Sequence, residues 1–441
     1  MSATDWTTPE DLRRQVQRQW DNGRLLAAGV KGESLFPMEL RLRGPDTRAL
    51  SERFEEVRQW IRGLESERRY AIEWREVNHR LLGRNRVPAR IVVPGEREAL
   101  ELIGKVDDAA HFGRVAAITR EQLPELMAWL GRKPLTGLAH AADWERILAV
   151  LRWFRGHPRC GLYLRQLDIG GVDTKFIEGR KVLLAELLDL VLPPEALDAA
   201  AAGQRNFEQR YGLASKPSQV RFRILDPRLS IRGLTDLAVP AGEFAGLDLP
   251  VERVFITENE INGLASKPSQ VRFRILDPRL SIRGLTDLAV PAGEFAGLDL
   301  PVERVFITEN EINGLAFPCV PGSLVIFGLG YGLDRLSEAG WLGRRKLYYW
   351  GDIDTYGFHI LDRVRVRFPE ARSFLMDRQT LVENAGLWVR ESDPYDGDLP
   401  RLTSVEGALY DDLRWNRLGE RVRLEQERIP YGRVEMALGG I

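Results

Sequence analysis

The stretch KLYYWGDIDTYGFHILDRVRVRF, residues 346–368, decides the reading of the fold. Its opening, KLYYW, is a short apolar and aromatic run of strand type. GDID interrupts it, and TYGFHILDRVRVRF then repeats apolar residues at helical spacing. Runs of the same strand type lie around it: VERVFITEN (302–310), SLVIFGLG (323–330) and SFLMD (373–377). YGLDRLSEAGWL (331–342) reads as a helix between them, and ERVRLEQERI (420–429) as a charged closing helix. Strands alternating with helices predict parallel strands and an α/β fold. In such sheets, sites gather at the carboxyl ends of the strands.

Working outward, the sequence immediately upstream is duplicated. Gly212–Asn262 recurs without a change at Gly263–Asn313, a period of 51 residues. Solenoid repeats drift in sequence and need about three copies or more, so this is a tandem duplication and not a repeat architecture. Removing one copy leaves 390 residues, which are read as the functional protein. The expected outcome is a splice, with the early part of the first copy in place and a surplus segment extruded. That surplus would expose an apolar VFIT strand.

Further out, residues 1–82 read as mostly helical, with Thr8 as cap and Pro9 in the first helical turn. Leu12, Val16 and Trp20 follow at helical spacing, as do Phe54, Val57, Trp60, Ile61 and Leu64. MELRLRG (38–44) alternates as a strand, RIVVP ends a basic stretch as another, and 96–155 returns to helices. GLYLRQLDIGGVDTKFIEGRKVLLAELLDLVLP (161–193) reads as helix, Gly-Gly turn and longer helix from Asp173-Thr174. That outline fits a helix-turn-helix with Lys175, Arg180 and Lys181 on the groove-entering helix. It fits an ordinary helical hairpin with solvated charges as well.

Composition bounds the function classes. A chain of 441 residues corresponds to about two to four domains at roughly 100–200 residues each. With 44% hydrophobic and 29% charged residues it is neither disordered nor fibrous. No apolar run reaches membrane-spanning length and no secretory leader is visible at the start. Cys160 and Cys319 are the only cysteines, which points to a reducing cytoplasm. A net charge of −1 excludes a uniformly basic nucleic-acid coat but not a local channel. The cations are 8 Lys and 55 Arg, a bias that suits phosphate contacts and that a GC-rich genome also produces.

The chemistry sits in the carboxylates. Glu309 and Glu311 follow the strand VFIT; Asp352 and Asp354 follow LYYW. Strands leaving on the same side of a parallel sheet would put these groups on one rim. Clustered carboxylates repel unless a divalent cation neutralises them, and Mg²⁺ takes a few carboxylates plus water and phosphate oxygens. Such a metal polarises a phosphodiester and activates the attacking water. Asp354 before Thr355 reads equally as a helix cap. The five scattered histidines show no zinc spacing, and no phosphate-binding GxxxxGK[ST] occurs.

The local words then become recognisable. FITENEINGLAFP, GLGYGLDRL, YYWGDIDTYGFHILDRVR and SFLMDRQTL resemble the JetD family, the nuclease subunits of Wadjet anti-plasmid systems, related to the topoisomerase VI A subunit. YLRQLDIGGVDTKFIE, RFRILD and RGLTDLAVP fit the same family, so the resemblance covers the chain apart from the extra copy. It implies a multidomain α/β protein. A helical N-terminal arm domain would span 1–130 and a winged-helix (CAP-like) DNA-binding domain 131–235. A largely surplus segment would fill 236–300, and a Toprim nuclease domain with a Rossmann-like parallel sheet 301–441. It implies Mg²⁺ or Mn²⁺ held by Glu309, Asp352 and Asp354, with Glu311 as an auxiliary ligand. It implies a homodimer acting on closed circular double-stranded DNA beside an SMC-like ATPase, its kleisin and accessory subunits.

Topoisomerase relatives cut through a tyrosine ester. Tyr163 and Tyr211 are the tyrosines within 131–250, and Tyr163 reads as core. The JetD resemblance implies hydrolysis by metal-activated water, without a covalent intermediate. Two other readings stand beside the endonuclease. One is a catalytically inactive DNA-binding scaffold of the same complex. The other is a phosphatase with a DxDx[TV] nucleophile, which fails because Tyr356 stands at the fifth position.

Overall fold

The computed structural model describes residues 6–79, 83–201, 206–257, 269–329 and 332–441. The chain falls into two compact units, one of residues 1–155 with 186–192, the other of 156–185 with 193–441.

The first unit follows its sequence signals closely. Thr8 and Asp11 form a reciprocal capping box at the start of the helix Pro9–Asp21, which buries Leu12, Val16 and Trp20. The helix Phe54–Glu65 buries Val57 and Leu64. Strands β1 (Met38–Leu40), β2 (Ala71–His79) and β3 (Gly83–Val93) form an antiparallel sheet in the order β1-β3-β2. Within 71–93 only RIVVP was legible as strand; the structure makes 71–79 and 83–93 two long strands paired antiparallel, residue against residue from Ala71–Val92 to His79–Gly83. Helices Glu96–Ile103, Val106–Gln122 and Trp144–Gly156 are the longer of those that follow the sheet.

The second unit is built on one mixed sheet. Its strands are β4 (Gln219–Arg223), β5 (Asp236–Pro240), β6 (Gln270–Ile275), β7 (Asp287–Pro291), β8 (Arg304–Thr308), β9 (Ser323–Phe327), β10 (Lys346–Trp350) and β11 (Arg372–Ser373). Their order is β11-β10-β8-β9-β6-β7-β5-β4. β11, β10, β8 and β9 run parallel, as expected, and the rest of the sheet is antiparallel. The wholly parallel sheet of the expectation is thus corrected to a mixed one, because each copy of the duplicated segment contributes a hairpin. β9 is buried along its whole length, as a central strand is.

The splice falls early in the first copy. Gly212 O accepts from Gly161 N and Ala214 N donates to Leu162 O, at 2.8 and 2.9 Å, so the first copy starts in contact with its upstream neighbours. From QVRFR onward the second copy takes over: β6, not β4, pairs with β9. The surplus is not simply extruded, since its hairpin β4–β5 extends the sheet beyond β7. The chain after that hairpin does lie open: Val254, Phe255 and Ile256 are 76%, 73% and 94% exposed.

Other elements differ from the reading. Of the expected helix in 331–342, Tyr331 lies outside the described residues, and the rest carries 3-10 turns, Gly332–Leu336 and Gly340–Arg344, in a stretch where glycine disfavours a longer helix. The expected first helix of 161–193 is a single 3-10 turn, Leu164–Gln166, followed by the short helix Thr174–Glu178 capped by Asp173. The charged helix of 420–429 is corrected to the strand β13 (Val422–Arg423), paired with β12 (Val389–Arg390), and a 3-10 turn, Gln426–Arg428. Val422, Leu424 and Gln426 are buried in alternation with more exposed charged residues, the period of a strand edge and not of a helix.

Candidate active site

β8 and β10 are adjacent and parallel, with Thr308 opposite Trp350. Their carboxyl ends therefore deliver Glu309 and the Asp352–Asp354 turn to one rim. Asp354 caps the helix Thr355–Arg367, its Oδ1 accepting from Gly357 N at 2.6 Å. Gly357 is required there, since a Cβ would lie 2.1 Å from the Asp352 carbonyl oxygen. The cap and the site are the same residue, so the two readings of this Asp-x-Asp do not exclude each other.

Each carboxylate is held. The Tyr349 hydroxyl donates to Glu309 Oε1. Gln426 N donates to Asp352 Oδ1 at 2.8 Å, and Arg423 reaches Asp352 Oδ2 at 2.5 Å and Asp354 Oδ2 at 3.2 Å. Burial pushes Glu309 up to about 7, against the Tyr349 bond, and the charges of Asp352 and Asp354 add to the rise. Burial also raises Asp354 to about 6, with the neighbouring Glu391 adding to it. Asp352 is raised by burial and then by Asp354. The three predicted catalytic residues are therefore close enough to feel one another's charge.

The strand β13 and the turn after it supply what the sequence reading missed. Arg423, Glu425, Gln426 and Glu427 enter the rim from there. Gln426 accepts from Thr308 Oγ1 at 2.7 Å and from Asn313 Nδ2 at 2.8 Å. Glu427 accepts from Asn310 Nδ2 at 2.8 Å. Glu391 accepts from Thr355 Oγ1 at 2.7 Å and fixes the helix start behind Asp354. The buried Arg165 ties the rim together, donating to Asn313 Oδ1 and the Gln426 carbonyl, each at 2.8 Å. The one available signal was the alternation VRLEQE, which high charge density disguised as a solvated helix.

The remaining candidates have other partners. Glu311 is held by Lys216, at 2.6 Å, and by Arg272; burial raises its pKa, and these two bonds outweigh it. Lys175 pairs with Glu425 at 2.5 Å and Lys181 with Glu208 at 2.6 Å. The Arg180 guanidinium stacks 4.1 Å over the Phe176 ring. Tyr163 is half-buried and lines a cleft of about 320 Å³ with Arg165, Lys175, Lys216, Asn310 and Glu427.

The donor set is all oxygen and suits a hard divalent cation in kind. Among the described residues, however, no three His, Cys, Asp or Glu side chains converge into a metal cage. Arg423 supplies the positive charge between Asp352 and Asp354 instead.

Two family models match the chain. One, described as the C-terminal region of the Wadjet protein JetD, matches residues 212–267 and again 263–438, once from the start of each copy. The other, described as the N-terminal part of an uncharacterized protein conserved in bacteria, matches residues 9–189. No curated protein matches the chain.

Proposed function

Since this chain belongs to the family of the Wadjet protein JetD, we propose that it is the Mg²⁺- or Mn²⁺-dependent DNA endonuclease of a Wadjet anti-plasmid complex. The observation that carries the reading is the trio Glu309, Asp352 and Asp354 at the ends of adjacent parallel strands. They would hold the cation, which when bound supplies Lewis-acid polarisation of a phosphodiester. The chain's own residues set the geometry. Tyr349 orients Glu309, Gln426 N orients Asp352, Gly357 N orients Asp354, and Arg423 neutralises the two aspartates. Lys175 and Lys216 line the adjoining cleft together with Glu178, Glu208 and Glu427, so a DNA backbone would meet free lysines there only by taking them from their carboxylate partners.

The finer assignments belong to the same proposal. Residues 161–193 form the winged-helix reader with Lys175, Arg180 and Lys181 toward phosphates, exchanging their internal partners for DNA. The sheet carrying β8–β11 is the Toprim domain. The substrate is closed circular double-stranded DNA, two copies of the chain cut two strands, and an SMC-like ATPase with its kleisin and accessory subunits presents the DNA in the cytoplasm. No described helix is long and apolar enough to cross a membrane.

A second reading, an inactive DNA-binding scaffold, is favoured by the pairing of Arg423 with both aspartates. Plasmid cleavage decides between them. We expect nicking and linearisation in Mg²⁺ that stop with EDTA and with Asp352→Ala, while DNA retention persists. Retention without cutting in either metal establishes the scaffold.

A further inference from the structure

The two copies of the duplicated segment meet each other in the sheet through identical strands. β5 and β7 both read DLAVP, they run antiparallel, and Ala238 is paired with Ala289, its own counterpart. The flanking contacts repeat the same symmetry. Glu243 accepts from Thr286 N at 2.9 Å and from Thr286 Oγ1 at 2.5 Å. Glu294 accepts from Thr235 N at 2.9 Å and from Thr235 Oγ1 at 2.5 Å. The next amides, Asp287 N and Asp236 N, point to the same two carboxylates at 3.4 Å. One patch thus meets its own copy about a local two-fold axis through the alanine pair, which is the form of an isologous dimer interface.

The strand order shows what this contact replaces. Without the inserted hairpin, β7 is the last strand of the sheet. Its outer backbone amides and carbonyls would then be unpaired, a template for another strand. The patch is complementary to itself in every respect the duplicate tests. Leu237 and Val239 of one strand and Leu288 and Val290 of the other are fully buried. The small alanine sits on the axis, and each glutamate satisfies the amides that begin the opposite strand.

We propose that β7, with Thr286 and Glu294, is a self-association surface whose partner is the same strand of a second copy of this chain. In the 441-residue chain the first-copy hairpin occupies that surface from within. Tethering favours the internal pairing, because the competing strand lies on the same chain and a second copy must exceed its effective concentration. The surface belongs to the sheet and is independent of the nuclease reading, so its test does not use DNA.

Cysteine cross-linking reads the pairing directly, in a background with Cys160→Ser and Cys319→Ser. Opposed Cα atoms of an antiparallel pair lie roughly 4.5–5.5 Å apart, within the range a disulfide spans. In the full chain, Ala238→Cys with Ala289→Cys should close an internal bond and leave a monomer on non-reducing gels. Ala289→Cys alone should give little covalent dimer, because its partner position is covered. Deleting residues 212–262 from the Ala289→Cys chain should convert it largely to covalent dimer under mild oxidation. Should the deletion chain fold poorly, adding Ala238→Pro to the full Ala289→Cys chain unlatches the hairpin and should raise dimer yield several-fold. Internal closure without any intermolecular bond in the unlatched or deleted chains overturns the proposal. So does equal dimer yield with and without the hairpin in place.

Discussion

Residues 251–257 and 302–308 carry the same letters, VERVFIT, and adopt different structures. In the second copy Val305, Phe306 and Ile307 lie in β8 and are at most 2% exposed. In the first copy Val254, Phe255 and Ile256 form no strand and face solvent. Just upstream the contrast disappears. Gln219–Pro240 and Gln270–Pro291 form the same hairpin with equivalent registers. Each is clamped by an arginine–aspartate pair, Arg221–Asp236 at 2.8 Å and Arg272–Asp287 at 2.9 Å. Each packs an aromatic pair 5.2 Å apart, Phe222–Phe244 and Phe273–Phe295. The hairpin's own ion pair and aromatic pair lie within about twenty-five residues of chain, and it forms in both places where the segment occurs. VFIT needs β9 and β10 as neighbours, and among the described residues there is one such slot. Strand formation here is a property of the site as much as of the residues.

The sharpest way to break the comparison uses the glutamates that follow these two stretches. Glu258 lies outside the described residues, whereas Glu309 faces Asp352 and Asp354. We expect Glu309→Ala to lose plasmid cleavage by at least about a hundredfold, the scale of several kcal/mol of transition-state stabilisation. Glu258→Ala should cut at the unaltered rate. Loss with Glu258→Ala alone would mean that the first copy supplies the working strand.

Packing gives the next largest effect. Phe306 stacks with Tyr348 and touches Phe317 and Phe374. Phe306→Ala should destabilise the second unit by about 3–5 kcal/mol. Phe255→Ala should change stability by no more than about 0.5 kcal/mol. Denaturant midpoints followed by tryptophan fluorescence measure both. Equal costs would place the two VFIT stretches in equivalent environments and erase the distinction.

The smallest effect compares Asp226 with Asp277, again one residue in two settings. The Arg228 side chain, then its backbone amide, hold Asp226 down at about 2. Asp277 is held lower still by Arg279 and, second, by Gly322 N, a neighbour that only the second copy has. Both folded values lie below the ordinary 3.8. Their contribution is therefore full above pH 3.8 and is lost as pH falls through the folded values, finishing near pH 2 for Asp226 and below it for Asp277. Side-chain carboxyl NMR titration should give Asp277 the lower midpoint. Coincident midpoints would remove Gly322 from the account.

Much of the candidate site was legible in the sequence. Glu309, Asp352 and Asp354 each follow an apolar strand, and strand-end carboxylates need little more than pattern to be found. Arg423, Glu425 and Glu427 were not legible, because ERVRLEQERI has the composition of a charged helix. Its alternation has meaning only once Leu424 bridges Ile353 and Val422 joins β12. The DNA-facing candidates Lys175 and Lys181 were legible as cations, but their present partners, Glu425 and Glu208, come from distant parts of the chain.

Sequence alone determined the elements whose stabilising contacts are local. These are the Thr8 capping box, the amphipathic helix Pro9–Asp21 and the identity of the rim carboxylates. Tertiary structure alone decided which copy of VFIT became a strand, that β13 closes the rim, and that β5 lies on its own duplicate. The reason is physical: local hydrogen bonds and side-chain pairs travel with the segment, whereas burial depends on neighbours that the segment does not encode.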